Sequence, residues 1–141
     1  KNLLDAGRYE GAHKQFERAC EMSPEEEPDY RAHRVYTEYL MIPKTDGGEP
    51  KDAGKARKVL EELDGIAKDS NKDKDWLYAH RGMVSLGLGR TRKAKHLFRE
   101  ATRLNPNNTM ASRQLRLLRM RSENDQKGFF EKLLDKIGLG S

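Results

Sequence analysis

The chain has 141 residues, 36% of them charged and 35% hydrophobic, with 28 Lys and Arg against 23 Asp and Glu for a net charge of +5. That is one domain's length, too polar for a thick core but apolar enough for thin helical layers. A single Cys excludes an intramolecular disulfide and a thiolate zinc site, and no apolar run is long enough for a transmembrane helix.

The positive charge is local. Residues 1–75 hold 14 basic and 18 acidic side chains, residues 76–121 hold 11 basic ones against Glu100 alone, and residues 122–141 hold three against four. The first residue is Lys, which reads as a piece of a longer chain.

Pro and Gly divide the sequence into helix-sized intervals, and alternating β-branched runs are scarce, so an all-α fold is predicted. In chain order, residues 1–24 carry Gly7, Ala12, Phe16, Ala19 and Pro24, with Cys20 expected as a small buried apolar residue. A helix "PDYRAHRVYTEYLMI" follows from Pro28, then the turn-rich loop "PKTDGGEP" at 43–50, then "KDAGKARKVLEELDGIAK" as a second helix. The polar run "KDSNKDKD" separates that helix from "WLYAHRGMVSLGLG". Next comes the basic helix ahead of "NPNN" at 105–108, a further helix over 109–121, a polar linker "SENDQKG" at 122–128 and a short amphipathic helix "FFEKLLDKIG".

Two of these intervals echo each other. Ala101, Phe98, Ala94, Gly89 and Gly82 precede Pro106 by 5, 8, 12, 17 and 24 residues, and Ala19, Phe16, Ala12 and Gly7 precede Pro24 by the first four of those separations. The spacing suits paired antiparallel helices: one Gly for close crossing, one for a left-handed helix end, Ala to admit a neighbour and Phe to fill the gap.

On these residues the chain resembles the tetratricopeptide repeat family. "YAHRGMVSLGLGRTRKAKHLFREATRLNPNN" is similar to a nearly complete unit, departing at Arg81 and Ser85, where the family usually has Leu and Tyr. Residues 1–24 resemble the later part of a unit. Residues 28–67 resemble a degenerate one, with Val35 in the place of Gly82, and Ala56, Leu60 and Leu63 in the places of Ala94, Phe98 and Ala101.

The resemblance implies antiparallel helix pairs stacked as a short right-handed superhelix over 1–121, with unit 75–108, a capping helix at 109–121 and a linker with a terminal helix at 122–141. The layout is also similar to the tail of bacterial multidomain proteins that join such repeats to a J domain or a receiver domain. The His-Pro-Asp tripeptide of a J domain is absent from the sequence.

No nucleophile–base signature, phosphate-cradling loop or paired His motif occurs, so neither an enzyme nor a metal or other cofactor is expected. Within the family, one subclass clamps acidic chaperone tails with Lys, Asn and Arg. At the matched places this chain has Trp76, His33 and His80, so that clamp is missing.

The function the resemblance implies is a cytoplasmic, non-catalytic scaffold that binds a protein or peptide on its concave face, lined by Tyr30, His33, Tyr39, Trp76 and His80. The alternative is a basic patch of Arg92, Lys95, Arg99, Arg103, Arg113 and Arg116 on the Arg-rich helices 91–121, meeting nucleic acid or an acidic protein. Aromatics for base stacking do not interleave it, so nucleic acid is not the favoured partner. The terminal helix places Phe130, Leu133, Leu134 and Ile137 opposite Glu131, Lys132, Asp135 and Lys136. It is too short to be stable alone, so it docks on its own array, on a partner or on a second copy; its balanced charge argues against a membrane.

Overall fold

Helix boundaries follow the local chemistry. In the computed structural model, which describes residues 9–15, 27–69 and 73–138, residues 9–15 are helical and five longer helices follow. Helix α1 (Pro28–Met41) begins with Pro at its first position and Asp29 in its first turn, and ends at extended Ile42 ahead of Pro43. Helix α2 (Ala53–Asp69) starts where the Asp52 carboxylate accepts the Lys55 N–H at 3.0 Å. Helix α3 (Asp75–Gly87) ends in a tight turn in which Gly89 takes φ 77°, the left-handed value that favours Gly. Helix α4 (Thr91–Leu104) stops two residues before Pro106, and helix α5 (Thr109–Lys136) is capped by Asn108, whose side chain accepts the Ala111 N–H at 3.0 Å.

Each helix packs on the next in sequence, and α1, α3 and α5 also touch in succession. That is the contact pattern of stacked helix pairs, with α1, α3 and α5 forming one layer. Two buried clusters result, and α3 serves both: Leu77 and Val84 join α1 and α2, while Ala79 joins α4 and α5. The recurring residues do the steric work expected of them. A Cβ at Gly82 would lie 2.6 Å from Phe98 Cε1, and Phe98, Ala94 and Ala101 are wholly buried. In the preceding pair, Val35 and Leu60 are buried together, so bulk missing from one helix is supplied by the other. Of the first partial unit, Gly7, Phe16, Ala19, Cys20 and Pro24 lie outside the described residues.

Arg81, where the sequence departs from the repeat pattern, has a partner. Its Nε donates to Asp64 Oδ1 at 2.8 Å, and Lys93 Nζ donates to Asp64 Oδ2 at 2.7 Å, so one carboxylate ties α2 to both α3 and α4. The three groups are partly exposed, which keeps the gain modest. Asp64→Ala is expected to lower the unfolding free energy by about 1 kcal/mol, read by urea denaturation, because it leaves two half-buried cations without their acceptor. A loss indistinguishable from zero would mean that solvent already screens the pair.

"LNPNN" is likewise structural. The side-chain amides of Asn105 and Asn108 donate to Asp75 Oδ2 at 3.1 and 2.8 Å, pinning the α4–α5 turn to the start of α3. Burial alone would raise the Asp75 pKa, but these bonds outweigh it and hold the carboxyl below its usual value.

The expected turn-rich loop is present with a definite form, and the expected linker needs correction. The loop at 43–50 is an ordered ribbon: Lys44 and Pro50 form a β-bridge, Thr45 N–H donates to Glu49 O at 2.7 Å, and Gly48 turns with φ 85°. Buried Pro50 sits against Gly87 of α3, so the insertion wedges onto the next pair. The linker at 122–128 is absent as a break: α5 runs unbroken through it, joining the expected capping helix 109–121 and the terminal helix. No Pro interrupts "SENDQKG", and Glu123 stands four residues before Lys127, the stabilising order. Gly128 is the weakest helix former in the segment, costing about 1 kcal/mol, too little to end a helix continued on both sides.

Candidate interaction surfaces

Helices α1 and α3 meet through a cluster of ring side chains. His33 stacks on Trp76 with ring centres 4.2 Å apart, and Tyr36 stacks on His80 at 3.8 Å and 15°. His33 also meets His80 edge-on at 5.5 Å. The contacts advance in the same direction along both helices, so α1 and α3 run parallel, as corresponding helices of successive pairs must.

Both ring nitrogens of His80 are buried without a hydrogen-bond partner. Burial, helped by His33, pushes its pKa down to about 3, so at neutral pH the ring is an uncharged plate between α1 and α3. Burial lowers the His33 pKa too, with Asp29 opposing.

The five residues expected to line one groove therefore divide. The structure brings His33, Trp76 and His80 together, places Tyr30 outside the stack and 45% exposed, and buries Tyr39 to 4% exposure. Tyr39 is not a lining residue but packing: its hydroxyl occupies the space a side chain at Gly87 would need, and Lys44 Nζ lies 4.1 Å over its ring while donating to Tyr39 O and Ile42 O. Tyr36, central to the stack, was missed by sequence reasoning. The signal was its position three residues after His33, on the stripe that must meet Trp76 and His80 four residues apart.

The basic residues divide as well. Lys95 and Arg99 of α4 face Arg116 and Arg119 of α5 across an open groove of about 710 Å³, with Leu115 and Glu123 in its lining. Arg92, Arg103 and Arg113 do not line it, and Arg103 donates to Glu100 at 2.7 Å. Among the described residues, no aromatic side chain lines this groove.

Among the described residues no three His, Cys, Asp or Glu converge on a common point, and no helix is long and apolar enough to cross a membrane.

Comparison with known families finds a tetratricopeptide repeat at residues 77–108, which spans α3, α4 and the turn that follows. No curated protein and no solved structure gives a significant match.

Proposed function

We propose, from the premise that residues 77–108 are a tetratricopeptide repeat, that this chain is a non-catalytic scaffold of the cytoplasm that holds a segment of a partner protein on the face of α1, α3 and the start of α5. Such repeats generally mediate protein–protein interaction. The observation that carries the reading is the ring stack of His33 on Trp76 and Tyr36 on His80. It fixes two face-forming helices side by side before any partner arrives, so binding need not order the receptor. Tyr30 and the outer edges of Trp76 and His33 supply amphipathic contact area of the kind that dominates binding energy at interfaces.

Trp76 is the chain's one Trp, so its emission reports occupancy of this face directly. Peptides selected on the chain from a random library are expected to shift Trp76 emission on titration and to lose at least tenfold affinity with Tyr30→Ser. They should bind within twofold as strongly to Arg99→Glu/Arg116→Glu and at raised salt. Peptides that leave the emission unchanged and bind only at low salt would transfer recognition to the basic groove, the surface a nucleic acid would use.

A further inference from the structure

Helix α5 has 28 residues, about 42 Å at 1.5 Å per residue, yet its buried side chains are Ala111 and Leu118, both in its first ten. Beyond Leu118 no residue through Gly138 is buried. Phe129 is 65% exposed, Phe130 62% and Ile137 59%, with Leu133 and Leu134 exposed beside them. Among the described residues, this part of α5 has no buried side chain to anchor it, and its apolar stripe lies open to solvent.

The stripe is continuous with the basic groove. Leu115, Arg119, Ser122 and Gln126 all line that groove. Stepping on by three or four residues at a time from Gln126 reaches Phe130, Leu133 and Ile137, so one face of α5 is cationic beside α4 and apolar where it leaves the array. In the groove, Lys95, Arg99, Arg116 and Arg119 are opposed by Glu123 alone among the lining residues. At the tip, Lys127 lies three residues from Phe130, and Lys132 and Lys136, with Asp135 between them in number, border Phe129 and Leu133. Glu131 and Asp135 lie about 100° and about 140° around the helix from Phe130, off the line that joins Phe130 and Ile137 to the groove.

We propose that this continuous face of α5, with the wall of α4 beside it, is a docking site for an amphipathic helix of another protein whose apolar stripe is flanked by acidic residues. Charge selects this occupant over a second copy of the chain. A parallel copy sets Arg116 and Arg119 against themselves, and an antiparallel copy lays the apolar Phe130 and Leu134 over those arginines, with Glu131 and Asp135 off the contact line and already beside Lys132 and Lys136. Only a chain bringing its own acids on the contact side neutralises four cations and covers the apolar tip together.

The probe is a synthetic 24-residue helical peptide with Leu at the contact positions and Glu at the flanking ones, compared by fluorescence anisotropy with the same peptide carrying Lys for Glu. The Glu peptide is expected to bind the full chain at least 30-fold more tightly than the Lys peptide, without changing Trp76 emission. Arg99→Glu/Arg116→Glu and, separately, Phe130→Asp/Leu134→Asp should each weaken it at least tenfold; all four positions are exposed, and circular dichroism verifies that the helices persist. Equal binding of the two peptides, or binding indifferent to either variant, overturns the proposal. So does a concentration-dependent dimer in sedimentation that Phe130→Asp abolishes, which would give the face to a second copy. Tighter binding to vesicles with phosphatidylserine than to the Glu peptide would give it to a lipid surface. The unchanged Trp76 emission separates success or failure here from that of the α1–α3 face.

Discussion

Gly82→Ala is expected to lower the melting temperature by about 8 °C, although Ala is the better helix former. The new Cβ would stand 2.6 Å from Phe98 Cε1, 2.8 Å from Cδ1 and 3.0 Å from Cζ, closer than real carbon contacts come. Phe98 has nowhere to withdraw: it is fully buried in one cluster with Ala79, Ala94, Ala101 and Ala111. Overpacking costs roughly 1–3 kcal/mol, and a contact this short in a fully buried cluster belongs at the upper end, about 3 kcal/mol, of which Ala's propensity advantage returns about 1 kcal/mol. A net loss of about 2 kcal/mol, at about 4 °C per kcal/mol for a chain of this length, gives the expected shift. The decisive measurement is the double variant. Gly82→Ala/Phe98→Leu should lose at least 1 kcal/mol less than the sum of its single variants, because a shorter side chain frees the space the methyl group needs. The chain already contains a related solution in Val35 and Leu60, buried together at the equivalent places of the preceding pair. Strict additivity in thermal melts would show that the two residues do not confront each other.

That pairing explains what could be read from the residues in advance. Repeat spacing is a record of sterics: Gly82 opposite Phe98 and left-handed Gly89 leave a fixed interval in the sequence because only Gly fits those places. The all-α fold and the helix pairs follow from it. What depends on two segments meeting leaves no such mark. Asp64 is an ordinary surface acid until α3 and α4 arrive with Arg81 and Lys93. Tyr39 and His80 read as exposed groove aromatics because helical spacing gives a face but not what covers it; the ribbon at Lys44–Pro50 and the ring of Tyr36 cover them. The unbroken α5 was hidden for another reason: a polar stretch is compatible with either a linker or a solvated helix, and the flanking helical segments decide which. The basic residues were identified as a set, but only the packing of α5 on α4 sorts Lys95, Arg99 and Arg116 from Arg92, Arg103 and Arg113.

Acidification from pH 7 to pH 5 is expected to remove about 2 kcal/mol of stability, and His80 is the main cause. Its folded pKa is about 3, against 6.5 for an unhindered His. Between those values the unfolded chain takes up a proton that the folded chain refuses, so stability is complete above about pH 6.5 and declines by up to about 1.4 kcal/mol per unit as the pH falls. His33, whose pKa burial also lowers, adds loss of the same sign. The window closes at pH 5 so that carboxylates, which titrate lower, contribute little. His80→Phe preserves a flat aromatic plate against Tyr36 while deleting two buried nitrogens that have no partner. Replacing unsatisfied polar atoms by apolar ones of similar shape is neutral or stabilising, so this variant should melt no lower than the parent at pH 7 and several degrees higher at pH 5. A parent whose melting temperature is level from pH 7 to pH 5, or a His80→Phe chain with the same acid slope as the parent, would falsify the placement of a neutral His80 between α1 and α3. The consequence reaches the proposed binding face, because the ring that must stay uncharged is the one that holds its two helices in register. Partner binding at Trp76 should therefore weaken on acidification in the parent and persist in His80→Phe, which ties the titration of one buried ring to the geometry of the surface it supports.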